Sequence, residues 1–219
     1  LEPEGKQAPA KGKSYTRAFV DTLTDLSRKD DRIVAITAAM PDGTGLLDYA
    51  ATFPDRMFDV GISEQCAVSL AAGLAASGMR PVVAIYSSFL QRAYDMIFQE
   101  ACLNNLPIVF VLDRAGIAGE DGPTHHGNFD IAFMRTLPNL VLMAPKDETE
   151  LKEMMRLAFT LNQPVGIRIP REPIPDLSAC KTPATPVQVG KGEVLATGKN
   201  GCILAYGVMV AKALEARTM

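Results

Sequence analysis

The chain has 219 residues, of which 47% are hydrophobic, with a formal net charge of −3 and a pI near 5.5. This length and apolar content suffice for one full hydrophobic core and part of another. The acidic balance excludes nucleic acid as a partner, and no apolar run predicts a signal peptide or a membrane span.

The four cysteines, Cys66, Cys102, Cys180 and Cys202, lie far apart and form no Cys-x-x-Cys pair. We expect reduced, buried thiols of a protein in the bacterial cytoplasm. The polar stretch 1–13, rich in Lys and Pro, is typical of an interdomain linker, which suggests a piece of a longer protein.

Apolar strands and amphipathic helices alternate along the chain. The predicted strands are Ile33 to Thr37, Phe58 to Ile62, Pro81 to Tyr86, Pro107 to Leu112, Val141 to Met143 and Val165 to Ile169. The first predicted helix begins after Ser14. The next ones cover about Leu46 to Phe53, Glu64 onward, Ser88 to Asn104 and Asp147 to Leu161. This alternation predicts an α/β fold, with a parallel sheet flanked by helices on both faces, over residues 14–169.

A second unit is predicted after a Pro-rich linker over residues 170–186. Two apolar runs, Val187 to Ala196 and Cys202 to Tyr206, and a final helix are typical of the start of another α/β domain. We expect residues 187–219 to be a truncated domain that is too short to close its own core.

The segment from Phe58 to Leu74 contains the most unusual carboxylate of the chain. Glu64 begins a helix of small apolar residues, which predicts a helix that is buried nearly all round. A carboxylate in such a place either has a raised pKa or binds a specific partner. The alternative is a first-turn Glu that only complements the helix dipole.

Two further loops at predicted strand ends contain unusual residues. Tyr86-Ser-Ser-Phe-Leu-Gln-Arg-Ala-Tyr-Asp places Tyr86, Phe89 and Arg92 at a strand-to-helix junction. The loop from Asp113 to Asp130 is long for a compact domain and contains both histidines, His125 and His126. Adjacent histidines cannot share one face, so we expect an acid, base or hydrogen-bond donor, or a surface pair, but no metal site.

These three segments resemble a known family. Asp59-Val-Gly-Ile-Ser-Glu-Gln resembles the glutamate segment in the pyrimidine-binding domain of transketolase-like thiamine-diphosphate enzymes. The Tyr86 and Asp113 segments narrow the resemblance to the 1-deoxy-D-xylulose-5-phosphate synthase family. It runs from about Tyr15 to Arg171, and Cys66 stands where the family often has His.

The resemblance implies roles for individual residues. Glu64 would bind N1′ of the cofactor pyrimidine and promote its imino tautomer, Phe89 would stack on that ring, and Tyr86 would line the pocket. Core packing explains the two aromatic residues equally well. The implied substrates are pyruvate and D-glyceraldehyde 3-phosphate.

The other implied site residues are charged. Arg114 and Arg171 would hold the substrate phosphate, because guanidinium groups offer paired donors at fixed geometry. Arg92, Asp121 and His125 would lie near the reacting carbons, with His125 as a donor to a developing alkoxide. Each of these residues, taken singly, also fits a solvated surface.

The resemblance also implies a part that this sequence lacks. The family holds the cofactor diphosphate through Mg²⁺ on a Gly-Asp-Gly segment followed by Asn. The nearest match here, Gly119-Glu-Asp-Gly122, has the wrong order and lies in the substrate loop. We therefore expect no metal ligand in this chain, half an active site, and no activity of the chain alone.

The resemblance therefore implies part of an enzyme of this family that forms a homodimer and has no membrane partner. One alternative is a β-type subunit of a 2-oxoacid dehydrogenase or a split transketolase, where this domain is a separate chain. Another is a non-catalytic interaction module of the same fold. The retained Glu64, Arg114, His125 and Arg171 argue against the module.

Overall fold

The computed structural model describes residues 12–177 and 186–218. Its centre is a sheet of six strands, all parallel, in the order β2-β1-β3-β4-β6-β5. The strands are β1 (Ile33–Thr37), β2 (Met57–Asp59), β3 (Arg80–Tyr86), β4 (Val109–Asp113), β5 (Val141–Met143) and β6 (Val165–Arg168). Each overlaps its predicted place, although β2 ends at Asp59 and not at the predicted Ile62, and the predicted fold class is confirmed.

Helices cover both faces of the sheet. In the described residues they are α1 (Tyr15–Ser27), α2 (Leu46–Thr52), α3 (Glu64–Ala76), α4 (Ser87–Leu90), α5 (Tyr94–Met96), α6 (Asp130–Met134), α7 (Glu148–Thr160) and α8 (Met209–Ala216). Single 3₁₀ turns occur at Pro54–Arg56, Gln91–Ala93, Gly119–Asp121 and Pro123–His125, and a π-helical turn at Ile97–Cys102. The short α6 lies at the end of the long loop and was not predicted.

The alternation of side chains along the strands creates two apolar layers. On β4, Val109 and Val111 pack under α1 and α7, whereas Phe110 and Leu112 pack under α3 and the Ser87–Cys102 segment. Because both faces are covered, the central strands are apolar at nearly every position.

Side-chain caps fix the starts of α1 and α7, the two long helices that pack on the same face of the sheet. The Ser14 hydroxyl accepts from the amide of Arg17, as predicted, and Asp147 caps α7 by accepting from the amide of Glu150. The Tyr15 hydroxyl donates to the carbonyl of Lys146 at 2.7 Å, which ties the two helix starts together.

The prediction of one regular helix from Ser88 to Asn104 is wrong. The chain bends at Ala93, which is fully buried and has the non-helical angles φ −101° and ψ 15°. The segment consists of α4, a 3₁₀ turn, α5 and a π-helical turn. Tight packing of Ala93 against the core overrides the local helical preference, and such irregular turns are frequent at functional sites.

Two burial predictions are also wrong. Helix α3 has an open face formed by small and polar residues: Gln65, Cys66, Ser69, Gly73 and Ala76. Of the cysteines, only Cys102 is buried among the described residues, where burial raises the pKa of its thiol to about 11. Cys66 and Cys202 are exposed, because neither packs against an apolar layer, and Cys180 lies outside the described residues.

The apolar runs Val187 to Ala196 and Cys202 to Tyr206 form no strand, whereas the predicted final helix forms as α8. A strand needs a paired neighbour, and the sheet in the described residues ends at β5 on this side. Val187 and Val208 instead pack against the first apolar layer. Within the described residues, no helix is long and apolar enough to cross a membrane.

A buried ion pair joins α6 to β6. The Asp130 carboxylate, with a fully buried side chain, accepts from Nε and Nη2 of Arg168 at 2.9 and 3.0 Å. The amide of Ile131 also donates to it at 2.7 Å. This bidentate pair fixes the end of the long loop to the sheet.

We expect Asp130→Asn to lower the free energy of unfolding by about 3–5 kcal/mol, because it leaves the guanidinium of Arg168 buried without a counter-charge. Urea unfolding followed by circular dichroism measures this change. Asp31→Asn is the matched control, since the Asp31 side chain is 99% exposed. If both variants lost the same small amount, the ion pair would not be structural.

Candidate active site

The carboxyl ends of the parallel strands all meet at one edge of the sheet. In register, Thr37 of β1 pairs with Asp59 of β2, and Tyr86 of β3 pairs with Asp113 of β4. The loops that follow these residues therefore lie side by side. Ligands of parallel α/β sheets bind at this edge.

Glu64 is the first residue of α3 and is 2% exposed. The turn before it depends on Asp59, whose Oδ1 accepts from the amides of Ala39 at 2.7 Å and Gly61 at 3.0 Å. Ala39 and Gly61 both have left-handed backbones, with φ of 59° and 72°. Asp59 thus holds two loops that the sequence alone did not connect.

The Glu64 carboxylate has a specific partner. Its Oε1 accepts from Nη1 of Arg92 at 2.6 Å, although the Arg92 side chain is 50% exposed. The Arg92 guanidinium also lies 5.0 Å from the centre of the Phe89 ring. Glu64 therefore has an ion-pair partner in addition to its place in the first turn of α3.

Three rings form the middle of the site. Tyr86 and Phe89 stack at 5.8 Å with an angle of 26°, and the His125 ring meets the edge of Phe89 at 5.1 Å. Tyr86 and Phe89 are only half-buried. Phe89 also packs against the second apolar layer, and each ring leaves part of its surface open at the sheet edge.

Gly43 is a residue of the site that the sequence did not single out for this role. A Cβ at Gly43 would overlap the hydroxyl of Tyr86, so only glycine leaves room for that ring. The Gly43 carbonyl also accepts from Nη1 of Arg114 at 2.6 Å. The sequence could not identify Gly43, because two glycines in the loop after β1 are only weak evidence for a ligand site. The contact between Gly43 and Tyr86 also leaves no pattern in the sequence.

Of the three arginines in the site, Arg114 is the most tightly held. It has a left-handed backbone with φ of 57°, and its guanidinium lies 4.1 Å from the centre of the Tyr86 ring. Its Nε lies 3.3 Å from Oδ2 of Asp121. A non-glycine residue in this conformation costs energy and is found most often at functional sites.

Asp121 bridges the two arginines that the sequence assigns to a phosphate. One carboxylate oxygen faces Nε of Arg114, and the other lies 3.3 Å from Nη2 of Arg171. Arg171 is also 3.8 Å from Glu120. Two arginines that converge on one carboxylate can also converge on one phosphate group.

Asp113 is a buried acid that sequence reasoning used only as a loop boundary. It is 1% exposed, and burial raises the pKa of its carboxyl to about 6, an increase that the charge of Arg114 partly offsets. It accepts from the Thr16 hydroxyl at 2.9 Å and from the Arg114 amide at 2.7 Å. Asp113 therefore stabilises the strained backbone of Arg114.

The two histidines have different surroundings. His126 accepts the amide of Ala118 on Nδ1 at 3.0 Å and so braces the long loop. His125 faces the aromatic rings, and its Nδ1 lies 3.0 Å from the Thr124 hydroxyl. Across residues 12–177 and 186–218, no three His, Cys, Asp or Glu side chains are placed to hold a metal ion.

The structure brings all eight predicted site residues together. A continuous series of contacts runs through Glu64, Arg92, Phe89, Tyr86, Arg114, Asp121 and Arg171, with His125 beside the two rings. The site thus has one end with a buried carboxylate and an aromatic ring, and another end with two converging arginines.

The chain matches a known family and known proteins. The family model described as "Transketolase, pyrimidine binding domain" matches residues 11–176. A 1-deoxy-D-xylulose-5-phosphate synthase of Geobacter sulfurreducens is 55% identical over 207 residues, which are 93% of this chain and 32% of that protein. One of Heliobacterium modesticaldum is 53% identical over 203 residues, 93% of this chain and 31% of that protein.

Solved structures give the same fold. A split gene transketolase, described as an inactive beta4 tetramer, has a TM-score of 0.82 and 32% identity, covering 95% of this chain and 67% of that one. Transketolase from Leishmania mexicana has a TM-score of 0.68 at 21% identity, covering 76% of this chain and 26% of that one. The chain spans about a third of the length of the curated relatives that it matches.

Asp113 generates a prediction about pH. Its pKa is raised in the folded state, so the folded chain gains stability relative to the unfolded chain as the pH falls through about 6 towards 4. Asp113→Asn cannot titrate. We expect the stability of the wild type relative to this variant to rise by up to roughly 3 kcal/mol between pH 7 and pH 4. Urea unfolding at several pH values measures the difference.

Asp30 is the matched control, because hydrogen bonds from Arg32 lower the pKa of its carboxyl. The sign is then opposite: the stabilising effect of Asp30 is present above its unfolded pKa and is lost as the pH falls through the lower folded pKa. A wild-type minus Asp113→Asn difference that is flat with pH would show that Asp113 titrates normally.

Proposed function

This chain belongs to the transketolase pyrimidine-binding domain family, and from that premise we propose that it is part of a 1-deoxy-D-xylulose-5-phosphate synthase. The reaction joins the two-carbon unit of pyruvate to D-glyceraldehyde 3-phosphate with release of CO₂, and yields 1-deoxy-D-xylulose 5-phosphate. The support is the 55% and 53% identity to two synthases of that name, each over 93% of the chain.

One observation carries the proposal: Arg114 and Arg171 converge on Asp121 at the sheet edge that also contains Glu64. A phosphorylated acceptor needs a dianion site at one end, and a thiamine cofactor needs a buried acid at the other. The Tyr86 and Phe89 rings span the space between these two ends. The arrangement therefore suits a small phosphorylated aldehyde.

The residues present fit the aminopyrimidine of thiamine diphosphate. Such a ring needs a carboxylate at one edge nitrogen and apolar surface on its face, and Glu64 and Phe89 lie close enough for both to touch Arg92. When bound, the cofactor supplies a carbanion and an electron sink for the decarboxylation. Glu64 holds a proton at the ring nitrogen N1′, while Phe89 and Tyr86 orient the ring and exclude water.

The described residues do not fit Mg²⁺, since they include no suitable group of three ligands. No step is assigned to the metal within this chain. We propose that Mg²⁺ and the diphosphate are bound by a domain outside this sequence, and that the chain alone is inactive. The split gene transketolase, which is described as an inactive beta4 tetramer, agrees with that expectation.

The substrate end has its own division of roles. Arg114 and Arg171 hold the acceptor phosphate after Asp121 yields to it, because one carboxylate and one phosphate compete for the same donors. His125, beside both rings, donates a proton to the alkoxide that forms on the acceptor. Arg92 lies near the reacting carbons.

We also propose that the enzyme is a homodimer of the bacterial cytoplasm. The open face of α3 is formed by small side chains, and Ile62, just before the helix, is 84% exposed. A close-packed partner suits such a face better than water does. Residues 187–219 are proposed as the start of a second domain.

The phosphate assignment predicts a selective defect. Arg171→Ala and Arg114→Ala should each lower kcat/KM for glyceraldehyde 3-phosphate by about ten- to a hundredfold, since each loses one charge-assisted contact of about 1.5–3 kcal/mol. With unphosphorylated D-glyceraldehyde the same variants should change far less. Steady-state kinetics of the full-length enzyme with both aldehydes measures this.

Equal losses with the two aldehydes, at unchanged circular dichroism, would show that the arginines only brace their loops. Arg28→Ala is the control, because Arg28 pairs with Asp25 on the exposed surface far along the chain from the site. Both of its kcat/KM values should match the wild type.

The dimer proposal predicts that Gly73→Arg dissociates the full-length enzyme. A Cβ at Gly73 would meet nothing within 4 Å in this chain, and Gly73 lies on the open face of α3, so the fold should be unaffected while the partner is pushed away. Sedimentation velocity should show monomers. Gly198→Arg, also in open space, should leave the assembly intact, and an unchanged dimer in both variants would place the interface elsewhere.

A further inference from the structure

Arg92 contacts both groups that the cofactor pyrimidine needs. Its Nη1 donates to the Glu64 carboxylate at 2.6 Å, and its Cζ lies 5.0 Å from the centre of the Phe89 ring. A planar guanidinium satisfies the same two partners that a planar aminopyrimidine would satisfy, namely an in-plane acceptor and an aromatic face.

The burial of the two partners is unequal. Glu64 is 2% exposed, whereas half of the Arg92 side chain is in solvent. A buried carboxylate without a partner is costly, so Glu64 needs a cation or a hydrogen-bond donor before the cofactor arrives. Arg92 supplies that donor from a position from which it can withdraw into water.

The position of Arg92 in the chain permits such a withdrawal. It lies in the 3₁₀ turn Gln91–Ala93, immediately before the irregular backbone at Ala93. Glu64 is the only carboxylate with which Arg92 is paired among the described residues. The guanidinium can therefore leave Glu64 without breaking a second ion pair.

The geometry points to Arg92 as a stand-in for the cofactor: it occupies Glu64 and Phe89 in the free enzyme, and thiamine diphosphate must displace it to bind. This inference rests on the proposed function and adds a competition to it. Arg92 keeps the buried carboxylate partnered before binding, and it lowers the observed affinity for the cofactor. After displacement its charge is free for an anionic substrate.

The test is calorimetric titration of the full-length enzyme with thiamine diphosphate and Mg²⁺. Arg92→Met keeps a flexible, unbranched side chain and removes the competing charge. We expect its Kd to fall roughly three- to tenfold, a modest factor because Arg92 is half exposed and its ion pair is partly screened. Arg28→Met makes the same change in net charge on the exposed surface and should leave the Kd unchanged.

A double-mutant cycle identifies the group through which Arg92 acts. In a Glu64→Gln background, the neutral amide holds the guanidinium weakly, so Arg92→Met should tighten binding much less. Salt gives an independent readout. The ratio of wild-type to Arg92→Met Kd should shrink between about 0.05 M and about 0.5 M NaCl, because the competing ion pair is screened.

The outcomes separate the two ideas. Unchanged or weaker binding by Arg92→Met, in an enzyme that binds the cofactor, overturns the inference and leaves the proposed function intact. Tightening that persists undiminished with Glu64→Gln also overturns it, since Arg92 would then act through another group. A wild-type enzyme that binds no thiamine diphosphate overturns the proposed function, and the inference with it.

Discussion

The common direction of the six strands is the constraint on which the site depends. Because every strand is parallel to its neighbours, the loops after β1, β2, β3, β4 and β6 all emerge at one edge. The register of the strands is a second constraint. Tyr86 pairs with Asp113, which brings the Tyr86 ring next to the residue that holds Arg114. A strand of opposite direction would send its loop to the far edge and divide the site.

Because the charged side chains of the site are paired with one another, any ligand that binds them must replace an existing partner. In the structure Arg92 is paired with Glu64, and Arg114 and Arg171 share Asp121. Each pair keeps a carboxylate satisfied that would otherwise be costly at a partly buried position. Binding is then an exchange of partners, and only the difference between old and new contacts appears as affinity. On the proposed assignment of a phosphate to this end, selectivity for it over a neutral group follows, since only an anion can compensate for the loss of Asp121.

Periodicity predicted the fold well, because strands that are buried on both faces and helices with one apolar face leave clear patterns. Glu64 was singled out from the sequence, but its own segment favoured a helix-dipole role, and only the resemblance of the three segments to a known family implied a cofactor role. The breaks around Ala93 could not be predicted, as they depend on tertiary packing. Neither could Gly43 under Tyr86 or the bridge from Asp121 to Arg171, which join residues far apart in the chain. The contact of Asp113 with its neighbour Arg114 depends on the left-handed backbone at Arg114, which the sequence does not reveal. The apolar runs after Pro186 form no strand, because alternation alone cannot supply a neighbouring strand.

The three cations of the site differ in how firmly they are held, and this difference orders their roles. The Arg114 side chain is 12% exposed and is fixed by Asp113, the Gly43 carbonyl, Asp121 and the Tyr86 ring, so it is a preorganised anchor. Arg171, at 38%, and Arg92, at 50%, have fewer contacts and more water around them. A fixed cation keeps its geometry when a ligand leaves, whereas an exposed cation loses side-chain entropy when it is recruited. On the proposed assignment, Arg114 sets where the phosphate lies and the more exposed Arg171 adjusts to it, whereas Arg92 lies at the Glu64 end of the site. Arg114 keeps its place although its backbone is strained, because Asp113 and the sheet hold that residue.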